Sequence, residues 1–322
     1  MNKKFGAQSA LDEVLSDIDL RGKRVLIIGI SSNVGFETGR ALAARGASVI
    51  GIDLVLTRAE SIRRVALQGG GNLELLELNL GSLQSVHACA DRLLIDGRPF
   101  NAIIGDVAVM ATPPRRTVDG FETQFWINYL SHFVLFNRIA RLLVQGGRLV
   151  MVSSPAHRFA DIDLDDLNLE RQNYDSLVAY GRSKTATSLF AVAFDRRYRH
   201  RGIRAVSVMC EKRDGISPAN GDRRHADVGL LPSEFKDITQ AAATSVWAAI
   251  LANKDDIGGH CLENGAVALI DDSPNPFADG VRSYALDADK ANQLWRKSEA
   301  LIFAAPLSIC TQALQPSCSS SQ

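Results

Sequence analysis

Residues 24–46, RVLIIGISSNVGFETGRALAARG, decide the fold. Val25 to Ile28 form an apolar run of the kind a strand buried on both faces requires. Gly29 ends the run, Ser31, Ser32 and Asn33 turn the chain, and a helical pattern is expected from Val34 onward. Glycine in such a turn permits positive φ and lets the backbone approach an anion, to which the helix start offers N–H donors and its dipole. Asn33 stands where a further glycine between Gly29 and Gly35 would be expected. Asparagine is the best non-glycine substitute in left-handed conformation. Asn33 is therefore expected to adopt positive φ and keep the turn, with a weaker hold on a pyrophosphate.

Working outward, further apolar runs at 48–52, 73–78, 101–105, 147–153 and 204–209 alternate with amphipathic stretches near 34–45, 57–67, 82–95, 119–143, 174–200 and 237–252. Strands alternating with helices imply right-handed crossovers and an α/β fold, a Rossmann-type doubly wound parallel sheet in a single domain. The expected division is an extension over 1–20 that forms a short helix on the outside, a domain over 21–303, and a disordered tail over 304–322. The polar, Gly- and Pro-containing stretch 211–235 is long for a loop and is expected to be a substrate lid.

The chain has 322 residues with 36 basic and 36 acidic side chains, so its formal net charge is zero. That balance argues against nucleic acid or an anionic membrane as partner. No run of about 18 apolar residues is present, so no transmembrane helix is expected. Five scattered cysteines suit a reducing, cytoplasmic setting better than a disulfide framework, and no Cys/His spacing suggests a metal site. The basic stretch 195–204 is read as a helix end whose cations complement the dipole. His132 and His157 lie near the expected site and are read as structural or exposed. Phe125, Trp126, Phe133 and Phe136 recur at helical spacing and are read as core or a dimer face.

Two constellations carry chemistry. The first is Asp53, which ends the second strand in ASVIGIDL. A carboxylate there accepts from ribose hydroxyls and repels a 2′-phosphate, which favours NAD over NADP. Arg58, a little further on, would soften that preference. The second is AYGRSK, which puts Tyr180 and Lys184 on one helix face. An ammonium beside a phenol favours the phenolate and is expected to lower its pKa towards the range a general acid or base needs. GGRLVMVSS supplies Ser153 and Ser154 at the carboxyl end of a strand, where ligands sit in open α/β sheets.

These residues resemble the short-chain dehydrogenase/reductase family over roughly 20–300, and most of all the branch of retinol dehydrogenases and related carbonyl reductases. GFETQFWINYLSHFVLFNRIARLL is similar to that branch's helix bearing a further catalytic residue, and Asn128 matches its Asn. The resemblance implies a tetrad of Asn128, Ser154, Tyr180 and Lys184. In it Tyr180 exchanges a proton with the substrate oxygen, and Lys184 lowers the tyrosine pKa and holds ribose hydroxyls. Ser154 hydrogen-bonds the carbonyl, and Asn128 positions a water. It also implies cofactor contacts from Gly29, Ser31, Ser32, Asn33, Val34, Gly35, Asp53, Asn79, Leu80, Asp106 and Val107 besides Tyr180 and Lys184. A homodimer or homotetramer acting on a small alcohol or carbonyl is expected.

The departures from the family fall on the cofactor contacts. Asn33 replaces a glycine, Asn79 an aspartate, Gly105-Asp106-Val107-Ala108 an Asn-Asn-Ala-Gly, and Cys210-Glu211 a Pro-Gly; the next threonine aligns with Gly215. Two functions follow. One is an NAD(P)-dependent oxidoreductase with a reshaped pocket. The other is a pseudoenzyme or non-redox member of the fold with weakened dinucleotide binding.

Overall fold

The computed structural model describes residues 5–171, 173–210, 236–276 and 278–305. The stretch read as a lid, Glu211 and Gly215 within it, and the tail beyond 305 lie outside the described residues. In chain order the elements are α1 (Leu11–Val14), β1 (Arg24–Ile28), α2 (Asn33–Ala44), β2 (Ser48–Asp53), α3 (Ile62–Gln68), β3 (Asn72–Glu77), α4 (Leu83–Asp96) and β4 (Phe100–Gly105). Then come α5 (Thr123–Phe125), a π-helical turn (Trp126–Leu130), α6 (Ser131–Ile139), β5 (Leu143–Ser153), α7 (Ser176–Tyr198) and β6 (Arg204–Met209). The described chain closes with α8 (Ile238–Val246), α9 (Lys254–Ile257), β7 (Cys261–Glu263), β8 (Ala266–Val267) and α10 (Ala288–Ala304).

The strands form one sheet in the order β3-β2-β1-β4-β5-β6-β7-β8, parallel except for the last pair. Every β1 residue is buried, which is why its sequence does not alternate. One apolar layer gathers α1, α2, α3 and α8, and the other gathers α4, α6, α7 and α10. Side-chain caps start the helices: Ser32 for α2, Ser82 for α4, Asp175 for α7, Asp237 with Gln240 for α8, and Asp287 for α10. Chain order reverses between β1 and β4, and the crevice at their carboxyl ends is where this architecture receives ligands.

Several expectations need correction. The expected helix over 119–143 begins only at Thr123, carries the π turn, and gives way to β5 at Leu143. The N-terminal stretch does form a short helix, α1, packed on α8 and α2 with Leu11, Val14 and Leu15 buried. The elements β7, β8 and α10 were not expected, and α10 carries the ordered chain past 303.

Candidate active site

The turn after β1 is built by two glycines. Gly29 has φ +95°, and a Cβ on it would stand 2.6 Å from the Asp106 carbonyl oxygen. A Cβ on Gly35 would stand 2.1 Å from the Gly29 carbonyl oxygen. Asn33 is not the left-handed residue; among described non-glycine residues positive φ occurs only at Ala111, Leu169 and Asn264. Asn33 is instead the first residue of α2, and its Oδ1 accepts from Arg58 Nη1 at 2.7 Å. The same guanidinium donates to the Ser31 carbonyl and lies over the Phe36 ring. The expectation of positive φ at Asn33 thus fails for a positional reason: the turn ends one residue earlier, and Ser32 caps the helix through Gly35 N–H.

The rest of the cradle follows. Asp53 accepts from Ser31 N–H at 2.9 Å and from Leu54 N–H at 2.8 Å, so its carboxylate both borders the turn and braces it. Ser32 Oγ donates to Asp106 at 3.3 Å. Val107 packs against Gly29. Asn79 uses its Oδ1 on Gly81 N–H, and the Leu80 carbonyl accepts from the Trp126 indole. The first-turn N–H groups of Asn33 and Val34 are donors the helix itself cannot use. Glycine cradle, helix start and ribose-side carboxylate fit a dinucleotide; the Asp106 carboxylate is the feature that fits an anion least.

At the other side of the crevice, Tyr180 and Lys184 share α7 as expected, both buried. The Tyr180 hydroxyl is hydrogen-bonded to Ser154, yet burial pushes its pKa up to about 12; the Ser154 bond opposes this, and the negative character of Cys210 and Asp106 adds to it. The expected lowering by Lys184 is not what this arrangement delivers. Its ammonium donates to the Val152 carbonyl at 2.9 Å and lies 5.7 Å from the Tyr180 ring centroid. Ser153 and Ser154 divide their work. Ser153 Oγ donates to the Lys184 carbonyl at 3.0 Å, fastening α7 to β5, while Ser154 faces Tyr180.

Asn128 sits in the π turn. Its Nδ2 donates to the Val109 carbonyl and to Ser183 Oγ, both at 2.9 Å, and its Oδ1 accepts from Val109 N–H at 2.8 Å. Ser183 in turn donates to the Tyr180 carbonyl at 2.7 Å. The Asn128 backbone carbonyl accepts from Thr187 Oγ1 at 3.2 Å. Asn128 thereby fixes α7 against the loop after β4. His132, one turn later, is fully buried, and burial followed by the Lys184 charge holds its pKa near 3.

His157, expected near the site as a structural or exposed residue, is buried and structural: its Nδ1 lies 2.9 Å from the Ser154 carbonyl, and burial first of all lowers its pKa to about 4. Cys210, which stands where the family has a proline beside the cofactor, follows β6 directly and bears on Tyr180. Among the described residues no group of three or more His, Cys, Asp or Glu side chains is placed to hold a metal. No described helix is long and apolar enough to cross a membrane.

A family model described as short chain dehydrogenase matches residues 23–215. The short-chain dehydrogenase/reductase prx1 of Penicillium roqueforti is 34% identical over 307 residues, 89% of this chain and 88% of that one. The WW domain-containing oxidoreductase of Danio rerio is 32% identical, covering 93% of this chain and 73% of its own length. Among solved structures, an uncharacterized protein from Mycobacterium paratuberculosis is 29% identical with a TM-score of 0.70, covering 93% of this chain and 97% of that one.

Proposed function

Because the chain belongs to the short chain dehydrogenase family, an oxidoreductase family, we propose that it interconverts a small alcohol and a carbonyl with a nicotinamide dinucleotide, working as a carbonyl reductase. The observation that carries this reading is geometric: the Tyr180 hydroxyl is hydrogen-bonded to Ser154, and Lys184 lies one turn along the same helix, 5.7 Å from the Tyr180 ring centroid. A protonated phenol is the form that donates to the oxygen of a carbonyl under reduction. A bound nicotinamide supplies the hydride.

The chain's own residues do the rest. Ser154 holds the carbonyl oxygen beside Tyr180, and Tyr180 hands over its proton. Lys184, 5.7 Å from the Tyr180 ring centroid, lies where ribose hydroxyls would meet it. Gly29, Gly35 and the start of α2 receive the pyrophosphate, and Asp53 receives the adenosine ribose, which favours NAD. Arg58, held at the turn by Asn33, is the counterweight that would admit a 2′-phosphate. We read the protein as a cytoplasmic homodimer or homotetramer.

The test pairs reduction of a panel of aromatic and aliphatic carbonyls by NADH and NADPH with the Tyr180→Phe variant. Turnover is expected to fall by about 10²–10⁴-fold with folding intact. Retained turnover would remove Tyr180 from the chemistry. The second reading, a member of the fold with weakened dinucleotide binding, draws on one observation, the Asp106 carboxylate at Ser32 inside the cradle. A melting temperature unmoved by either dinucleotide would select it, since a ligand of the native state raises Tm.

A further inference from the structure

The short helical turn after Ser154 (Pro155–Phe159) is tied to the far end of the chain. The His157 ring makes both connections. Its Nδ1 is 2.9 Å from the Ser154 carbonyl oxygen, an acceptor, so Nδ1 carries the proton; Nε2 then accepts from Arg282 N–H at 3.1 Å. The His157 carbonyl accepts from the Tyr284 hydroxyl at 2.7 Å and from the Thr185 hydroxyl at 3.2 Å.

Arg158 adds a second tie. Its side chain is fully buried and donates to the backbone carbonyls of Asp271 (3.0 Å), Ser273 (3.4 Å), Asn275 (2.9 Å), Asp279 (3.4 Å) and Gly280 (3.4 Å), and to the Asp271 carboxylate (3.4 Å). Loop carbonyls ordinarily face water. Here they converge on one guanidinium, so the turn after Ser154 dictates the loop's shape. Val281 and Ala285 pack with Met209, the last residue of β6, which puts this loop at the carboxyl edge of the sheet where the site lies.

We propose that residues 271–276 and 278–284 form a wall of the active site and that His157 is the positioning residue joining that wall to Ser154. The inference rests on the reading of Ser154 as the residue that holds the substrate carbonyl. With the ring in place, docking of the wall and placement of the Ser154–Tyr180 pair are one event. With it removed, the Ser154 carbonyl and the Arg282 N–H lose their common partner, and the wall is held to the turn by Arg158 and Tyr284 without a link to Ser154.

Two substitutions separate the ends of the connector. His157→Asn keeps an amide donor for the Ser154 carbonyl and loses the acceptor for Arg282. His157→Gln keeps an acceptor and loses the donor. The first readout is amide hydrogen exchange of the full chain over peptides covering 152–160 and 278–286. Tyr284→Phe, which cuts a tie from the wall side, is expected to speed exchange in both peptides. The second readout is reduction of 9,10-phenanthrenequinone by NADH or NADPH. Both His157 variants are expected to lose roughly 10–100-fold in kcat through misplacement of Ser154 while the dinucleotide Kd stays unchanged.

A His157→Asn variant that frees 278–286 yet keeps kcat would overturn the coupling. Exchange in Tyr284→Phe confined to 278–286 would overturn it as well. A parent protein that reduces no carbonyl probe sinks the oxidoreductase reading instead, and the exchange result then decides the coupling alone.

Discussion

At Asp53 one carboxylate serves two ends. It closes the turn by accepting from Ser31 N–H, and in the proposed site it is the group that would receive a ribose. Asp53→Ser is expected to narrow any preference for NAD over NADP and to lower stability by about 1–3 kcal/mol, because a backbone donor is left without its acceptor. Dissociation constants for the two dinucleotides and a urea titration measure the two effects; an unchanged ratio would place selection at Arg58 alone. Asn33 and Gly35 differ in the same way. The sequence suggested Asn33 as the weak point of the turn, but a residue's φ is set by where the helix starts, and Ser32 supplies that start. Asn33→Gly is therefore expected to leave dinucleotide affinity unimproved and to release Arg58 from its tether. Gly35→Ala is the damaging change, since its Cβ meets backbone and not a movable side chain; a loss of about 1–3 kcal/mol is expected in thermal or urea unfolding. An Asn33→Gly variant that binds either dinucleotide much more tightly would restore the original reading.

The elements legible in the sequence were those with a strong period. β1, β2 and β6 announced themselves as apolar runs between turn signals, and AYGRSK sat on a helix as its spacing required. What stayed hidden lacks a local signal. β7 has three residues and β8 two, too short to show any period, and they exist because β6 offers an edge. The π turn at Trp126–Leu130 is a backbone choice made by tertiary contacts of Asn128 and Thr187, which no spacing encodes. α10 is different, for its signal was present: an Asp287 cap and Ala288, Ala291, Leu294, Trp295 and Ser298 along one face. Trp295 stacks on Phe190 at 5.8 Å between ring centroids, meets Phe133 edge-on at 4.9 Å and carries Arg197 over its ring at 3.9 Å. Trp295→Ala is expected to cost about 3–5 kcal/mol by cavity formation, read as a lower urea midpoint. A cost below 1 kcal/mol would mean that α10 is an ornament on the sheet and not part of its second layer.

Across the whole molecule, two histidines and two tyrosines are held neutral by burial, and this bears on where the protein is stable. His132 is held near 3 and His157 near 4, both mainly by burial, against an ordinary value of 6.5. A depressed folded-state pKa means that the unfolded chain takes up the proton first. Their contribution is thus fully present above 6.5 and is lost as pH falls from 6.5 towards 4, by about 1.4 kcal/mol per pH unit for each histidine. On the alkaline side the sign reverses. Tyr180 is raised to about 12 and Tyr129 is raised as well, again by burial. Their contribution is whole below the ordinary value of 10 and is lost as pH rises from 10 towards 12. The melting temperature should therefore be level between about pH 7 and 10 and fall on both sides. His157→Asn removes one of these acid titrations, so it should make the acid limb shallower even though it lowers stability at pH 7. An acid limb as steep in that variant as in the parent would show that carboxylates, and not the buried histidines, govern acid unfolding. In the folded parent, acid reaches the residue that touches Ser154 near pH 4, ahead of His132, so active-site placement should fail no later than the fold itself.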